Sequence, residues 1–124
     1  MKIENIIRRV LREQQEEEKL LKIPSLKFFN NDWNVLQMFL ESQGNPRYSI
    51  GGNLSLSEAK IETLGNLVRV EGNLDLYGNK SFQSLGNLNY VGGWLDLSHT
   101  PLSEKYTEDD IRKMVEVVGN VYLY

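Results

Sequence analysis

Gly52-Asn53-Leu54-Ser55-Leu56 returns as Gly72-Asn73-Leu74-Asp75-Leu76, again as Gly93-Trp94-Leu95-Asp96-Leu97, and a last time as Gly119-Asn120-Val121-Tyr122-Leu123. The four starts are 20, 21 and 26 residues apart. A second phrase lies between copies: Leu64-Gly65-Asn66-Leu67-x-x-Val70 is echoed by Leu85-Gly86-Asn87-Leu88-x-x-Val91. Self-similarity at this period marks an array in which one unit cannot bury its apolar face until a neighbour stacks on it. Leu-x-Leu, Val-x-Leu in the last copy, reads as a short strand, with two side chains inward and the residue between them outward. Gly65-Asn66 and Gly86-Asn87 suit the turn that returns the chain, and Leu64, Leu67, Val70, Leu85, Leu88 and Val91 complete the core.

After the strand, x-x-[Ala/Thr]-x-[Ile/Leu] follows in two copies, through Ala59 and Ile61 and through Thr100 and Leu102, while the middle copy, through Asn79 and Phe82, carries one extra residue. These residues resemble leucine-rich repeats, whose pattern is Leu-x-x-Leu-x-Leu-x-x-Asn-x-Leu. They are closer still to short repeats of the Gly-Gly-x-Leu-x-Leu type found in bacteriophage and bacterial proteins. The resemblance covers Ile50 to Tyr124 and implies a curved parallel sheet used for protein recognition. The expected architecture is α+β: a short right-handed LRR-like solenoid, with a parallel sheet of about four short strands and an N-terminal helical cap. Three segments are expected: residues 1–22 as an amphipathic helix, 23–49 as a helical capping segment and 50–124 as the repeat domain.

Composition narrows the function classes. The 124-residue chain has a net charge of −3 and no basic stripe, which argues against a nucleic-acid partner, because phosphate contacts need clustered Lys and Arg. It has no cysteine, so disulfides and thiolate metal sites are excluded. No apolar run approaches the roughly 20 residues of a membrane span. Charges interrupt Ile6-Ile7-Arg8-Arg9-Val10-Leu11-Arg12, unlike a signal peptide, so a cytoplasmic location is expected, in the host cell or the virion if the chain is phage-encoded.

Before the repeats, Lys2 to Leu21 reads as a helix with an apolar stripe of Ile3, Ile6, Ile7, Val10 and Leu11. Its basic N-terminal half and acidic C-terminal half oppose the helix dipole, so it is expected to need a docking surface. That surface is this protein's own repeats, a second copy, a partner's groove or, less in keeping with the glutamate run, a membrane surface. A second helix is expected from a cap at Asn31 or Asp32 to Gly44-Asn45-Pro46. Phe28, Phe29, Trp33, Leu36, Phe39 and Leu40 would then close the open end of the core. Thr107-Glu108-Asp109-Asp110 resembles a capping box that starts a helix carrying Ile111, Met114 and Val115, replacing the extended return in the last repeat.

Stacking the strands in register gives three outward columns: Asn53, Asn73, Trp94, Asn120; Ser55, Asp75, Asp96, Tyr122; and Ser57, Tyr77, Ser98, Tyr124. Trp94, Tyr77, Tyr122 and Tyr124 around Asp75 and Asp96 have the ingredients of a partner-binding patch, or else the polar columns form a solvated ladder that the aromatics cover. Asp75 and Asp96 lack a third ligand, so neither a metal site nor a catalytic constellation is expected, and no cofactor. His99 is expected in an exposed turn. Gly119 to Tyr124, with Val121 at its centre, forms an edge strand whose free backbone invites pairing. The expectation is a non-catalytic interaction or structural module that binds a protein or itself. An inhibitor or adaptor of a host protein, a self-associating assembly component and a carbohydrate-binding protein are the alternatives.

Overall fold

Each copy of the glycine phrase forms a corner at which the chain passes from one parallel sheet to another. In the computed structural model, residues 20–124 are described. The strands are β1 (Leu21–Ile23), β2 (Tyr48–Ile50), β3 (Leu54–Ser55), β4 (Leu67–Val70), β5 (Leu74–Asp75), β6 (Tyr90–Val91), β7 (Leu95–Asp96), β8 (Glu116–Val117) and β9 (Val121–Tyr122). Five of them make one sheet in the order β1-β2-β4-β6-β8, and four make a second in the order β3-β5-β7-β9. Every neighbouring pair is parallel. The molecule is α+β, and each repeat adds one layer containing a strand of each sheet.

The register matches the sequence phrase by phrase. Leu54 pairs with Leu74, Leu74 with Leu95 and Leu95 with Val121, while Ser55, Asp75, Asp96 and Tyr122 form the next column. Leu54, Leu56, Leu74, Leu76, Leu95 and Leu97 are buried in one cluster with Ile50, Leu67, Val70, Val91 and Val117 from the other sheet. The second sheet was not expected. The segments read as extended returns with turns are themselves laddered, because Leu67-x-x-Val70 and its echo put apolar side chains into the same core. Two to four residues are too few for strand alternation to register in the sequence.

The corners explain the glycines. Gly72 N–H donates to the Gly52 carbonyl at 2.8 Å, Gly93 to Gly72 at 3.0 Å and Gly119 to Gly93 at 2.9 Å. A Cβ on Gly72 would lie 2.7 Å from the Gly52 oxygen, so the layers stack this closely only without a side chain there. The asparagines after these glycines extend the ladder: Asn53 Oδ1 accepts from Asn73 N–H at 2.9 Å, and Asn73 Oδ1 from Trp94 N–H at 2.8 Å. At the opposite corner, the buried Asn79 amide donates to the Leu56 and Leu76 carbonyls at 2.7 and 2.9 Å.

The expected second helix is present at Trp33–Ser42, with Asp32 as its N-cap accepting from Asn34 and Val35 N–H. A 3-10 helix, Leu26–Phe29, precedes it. Trp33, Leu36 and Leu40 are buried, but two of the expected capping residues are not: Phe28 is 73% exposed and Phe39 lies at the surface, its ring 5.2 Å from Phe29. The helix turns only one stripe inward, and Val35, Met38 and Phe39 occupy its outer side. Of the three residues that the last capped helix was expected to carry, Ile111 and Val115 are buried and Met114 is exposed. Leu21, expected as the end of the first helix, belongs to β1. Ile3, Ile6, Ile7, Val10 and Leu11 lie outside the described residues. β2 straddles the boundary expected at residue 50, so the five-stranded sheet runs from the capping segment into the repeats.

In the last repeat the helices are inserted without removing the extended return. Pro101–Lys105 and Glu108–Met114 are helical, and β8 follows them. The capping box is complete: Thr107 Oγ1 accepts from Asp110 N–H and Asp110 Oδ2 from Thr107 N–H. The Thr107 backbone N–H foremost, and the Thr107 side chain after it, hold the Asp110 carboxyl below its usual pKa. Arg112 on this helix reaches the terminal layer. Its guanidinium donates to the Val117 carbonyl at 2.7 Å, to the Gly119 carbonyl at 2.8 Å and to Glu108 at 3.0 Å. One layer earlier, the equivalent carbonyls of Val91 and Gly93 accept from Val118 and Gly119 N–H. Arg112 thus stands in for the donors of a further layer, and the edge expected to be bare is partly covered.

Candidate interaction face

The outer side of the four-stranded sheet brings together the residues expected at a binding patch. Buried leucines at alternate positions fix its orientation: Leu74 and Leu76 point inward, so Asn73, Asp75 and Tyr77 point outward, and the neighbouring strands follow the same alternation. Trp94, Asp75, Asp96 and Tyr122 are half-buried, Tyr77 is 40% exposed and Tyr124 81% exposed. The Trp94 and Tyr122 rings meet edge to face, with centroids 6.2 Å apart at 68°. Tyr122 and Tyr124 stack at 6.2 Å and 26°. These three rings form a continuous aromatic strip. Tyr77 lies apart from it, edge-on to His99 at 5.1 Å.

His99 is exposed and left-handed, with φ of 57°, at the repeat position that Glu58 and Gly78 fill with the same backbone sign. The sequence placed it correctly in a turn but gave it no part in the face. Its shared offset with Glu58 and Gly78 was the available signal. Beyond His99 the face opens into a groove of about 640 Å³ lined by Lys80, Pro101, Glu104, Leu123 and Tyr124 among others. One expected outward residue is elsewhere: Ser98 is buried, because its Oγ accepts from Tyr124 N–H at 3.1 Å. Val121 sits in β9 at the sheet edge with its side chain buried.

Asp75 and Asp96 are neighbours in register. Each caps its own strand end, Asp75 Oδ1 accepting from Tyr77 N–H at 3.0 Å and Asp96 Oδ1 from Ser98 N–H at 2.8 Å. Among the described residues, the ion pairs are Arg69–Glu71 and Arg112–Glu108, so neither aspartate has a cationic partner there. The five-stranded sheet differs. Its column Ser49, Arg69, Tyr90, Glu116 holds Arg69 bonded to Glu71 and 3.7 Å above the Tyr90 ring. Its cation is already matched, while among the described residues the acids on the other sheet are not.

No group of three metal-ligating side chains occurs among the described residues, and no described helix is long and apolar enough to cross a membrane. Searches against known protein families, characterised proteins and solved structures find no match for this chain.

Proposed function

We propose that the chain is a short right-handed leucine-rich-repeat-like solenoid with an N-terminal helical cap, acting as a non-catalytic module that binds a protein partner through the outer face of its four-stranded sheet. The observation that carries this reading is the aromatic strip of Trp94, Tyr122 and Tyr124 beside two carboxylates that have no cationic partner among the described residues. Aromatic side chains supply much of the energy of protein interfaces at little entropic cost. Pairing of a second copy has less support along β8 and the corner after it, where Arg112 already occupies the Val117 and Gly119 carbonyls.

A photo-crosslinking residue at Tyr77 or Tyr124 tests the face directly. In extracts of the source cells, one cross-linked species is expected from both positions and none from a control at Lys22. The double variant Trp94→Ala/Tyr122→Ala should abolish it while leaving the fold intact by circular dichroism. Equal cross-linking from the control, or indifference to the aromatic changes, overturns the proposal.

A further inference from the structure

Asp75 and Asp96 sit side by side in register, on strands whose spacing is about 4.8 Å, each with one oxygen engaged by its own turn. Like charges directly across a pair of strands are destabilising. An asparagine would keep the turn bond without the repulsion, and asparagines already fill the neighbouring column at Asn53 and Asn73. The carboxylates therefore supply something that the fold does not need. With Trp94 and Tyr122 beside them, they form a surface that is acidic and aromatic together.

Resting on the interaction face argued above, we propose that its partner presents a basic, extended segment whose arginine side chains lie over Trp94 and Tyr122 and bond across Asp75 and Asp96. A planar guanidinium fits both halves of this surface. It stacks on an aromatic ring, and its fork of N–H donors spans carboxylate oxygens more readily than a lysine ammonium does. The protein shows the same pairing of functions on its other sheet, where Arg69 stacks on Tyr90 and bonds Glu71. The sheet face supplies the ring and the acids, and the partner supplies the arginine.

The test uses the full chain and three short peptides of one length, with arginine, its neutral isostere citrulline, or glutamate at alternate positions. Nuclear magnetic resonance titration should show the arginine peptide shifting the amides of residues 75–77, 94–98 and 122–124, and the other two leaving them unmoved. Asp75→Asn/Asp96→Asn should weaken binding by about tenfold or more, with a melting temperature equal to or above that of the parent. That stability readout separates lost binding from lost folding. Raising salt from about 0.05 M to about 0.5 M should weaken the arginine peptide's binding.

Equal binding of the citrulline peptide, no effect of the double asparagine variant, or shifts spread over acidic residues elsewhere would each overturn the inference. If cross-linking of the natural partner is lost with Trp94→Ala/Tyr122→Ala but survives Asp75→Asn/Asp96→Asn, the interaction face stands and the basic partner falls. If neither variant affects that cross-link, both readings fall.

Discussion

Single residues in this chain are held to their identities by the neighbouring layer. Gly72 is the sharpest case, because a Cβ there would meet, besides the Asn53 side-chain oxygen that already accepts from Asn73 N–H, the Gly52 carbonyl carbon and oxygen at 2.8 and 2.7 Å, which are backbone and cannot rotate away. Gly72→Ala is therefore expected to destabilise by about 1–3 kcal/mol, as overpacked sites do, despite the entropic advantage of alanine. Chemical denaturation with and without the change measures it. Tyr48 reports the core at the other end of the stack. It is almost wholly buried, and burial pushes its hydroxyl up to about 12, against a smaller opposing effect of the Gln37 amide that donates to it at 3.2 Å. The folded state thus keeps a proton that the unfolded chain releases near pH 10. Its contribution to stability is complete below pH 10 and is lost as pH rises towards 12, about 3 kcal/mol in all for a shift of two units. Tyr48→Phe should flatten that alkaline limb in a pH series of melting curves.

The helix Glu108–Met114 is the element that departs from the repeat, and Arg112 gives the departure its purpose. Removing the guanidinium uncovers the Val117 and Gly119 carbonyls at the end of the stack. Arg112→Ala should lower stability by about 1–3 kcal/mol and raise concentration-dependent association through the freed edge, measurable by denaturation and light scattering. Elements also differ in how plainly the sequence announces them. Leu-x-Leu recurs three times behind glycine and Val-x-Leu follows once, so the four-stranded sheet and its register were readable. The Thr107–Asp110 box and the Asp32 cap were readable because capping chemistry is local. The five-stranded sheet was not: its strands alternate too briefly, and only pairing with the adjacent layer makes them strands. Phe28 and Phe39 were assigned to the core by residue type, yet helix rotation turns them to the surface. At the face, Trp94, Tyr122, Asp75 and Asp96 followed from register alone. The turn bonds of the aspartates, the burial of Ser98 and the reach of Arg112 depend on side-chain geometry that spacing does not encode.

At the scale of the molecule, successive repeats stack in both sheets, so each layer meets chiefly the one before and the one after. Stability is then a sum of layer and interface contributions, and no single layer closes the core. The two ladders also share a direction: their hydrogen bonds run from layer to layer, across the strands. Leu20 and Tyr124 lie at opposite ends of that direction, since β1 borders one sheet and β9 ends the other. A tensile load between those residues pulls along the bonds and meets one interlayer seam at a time, as a zipper does, where a load along the strands would shear many bonds together. Pulling with optical tweezers should give low-force steps. Spacings of 20, 21 and 26 residues correspond to released lengths of about 70–90 Å at ~3.5 Å per residue. Mechanically, the repeat makes this protein a compliant link that yields by layers.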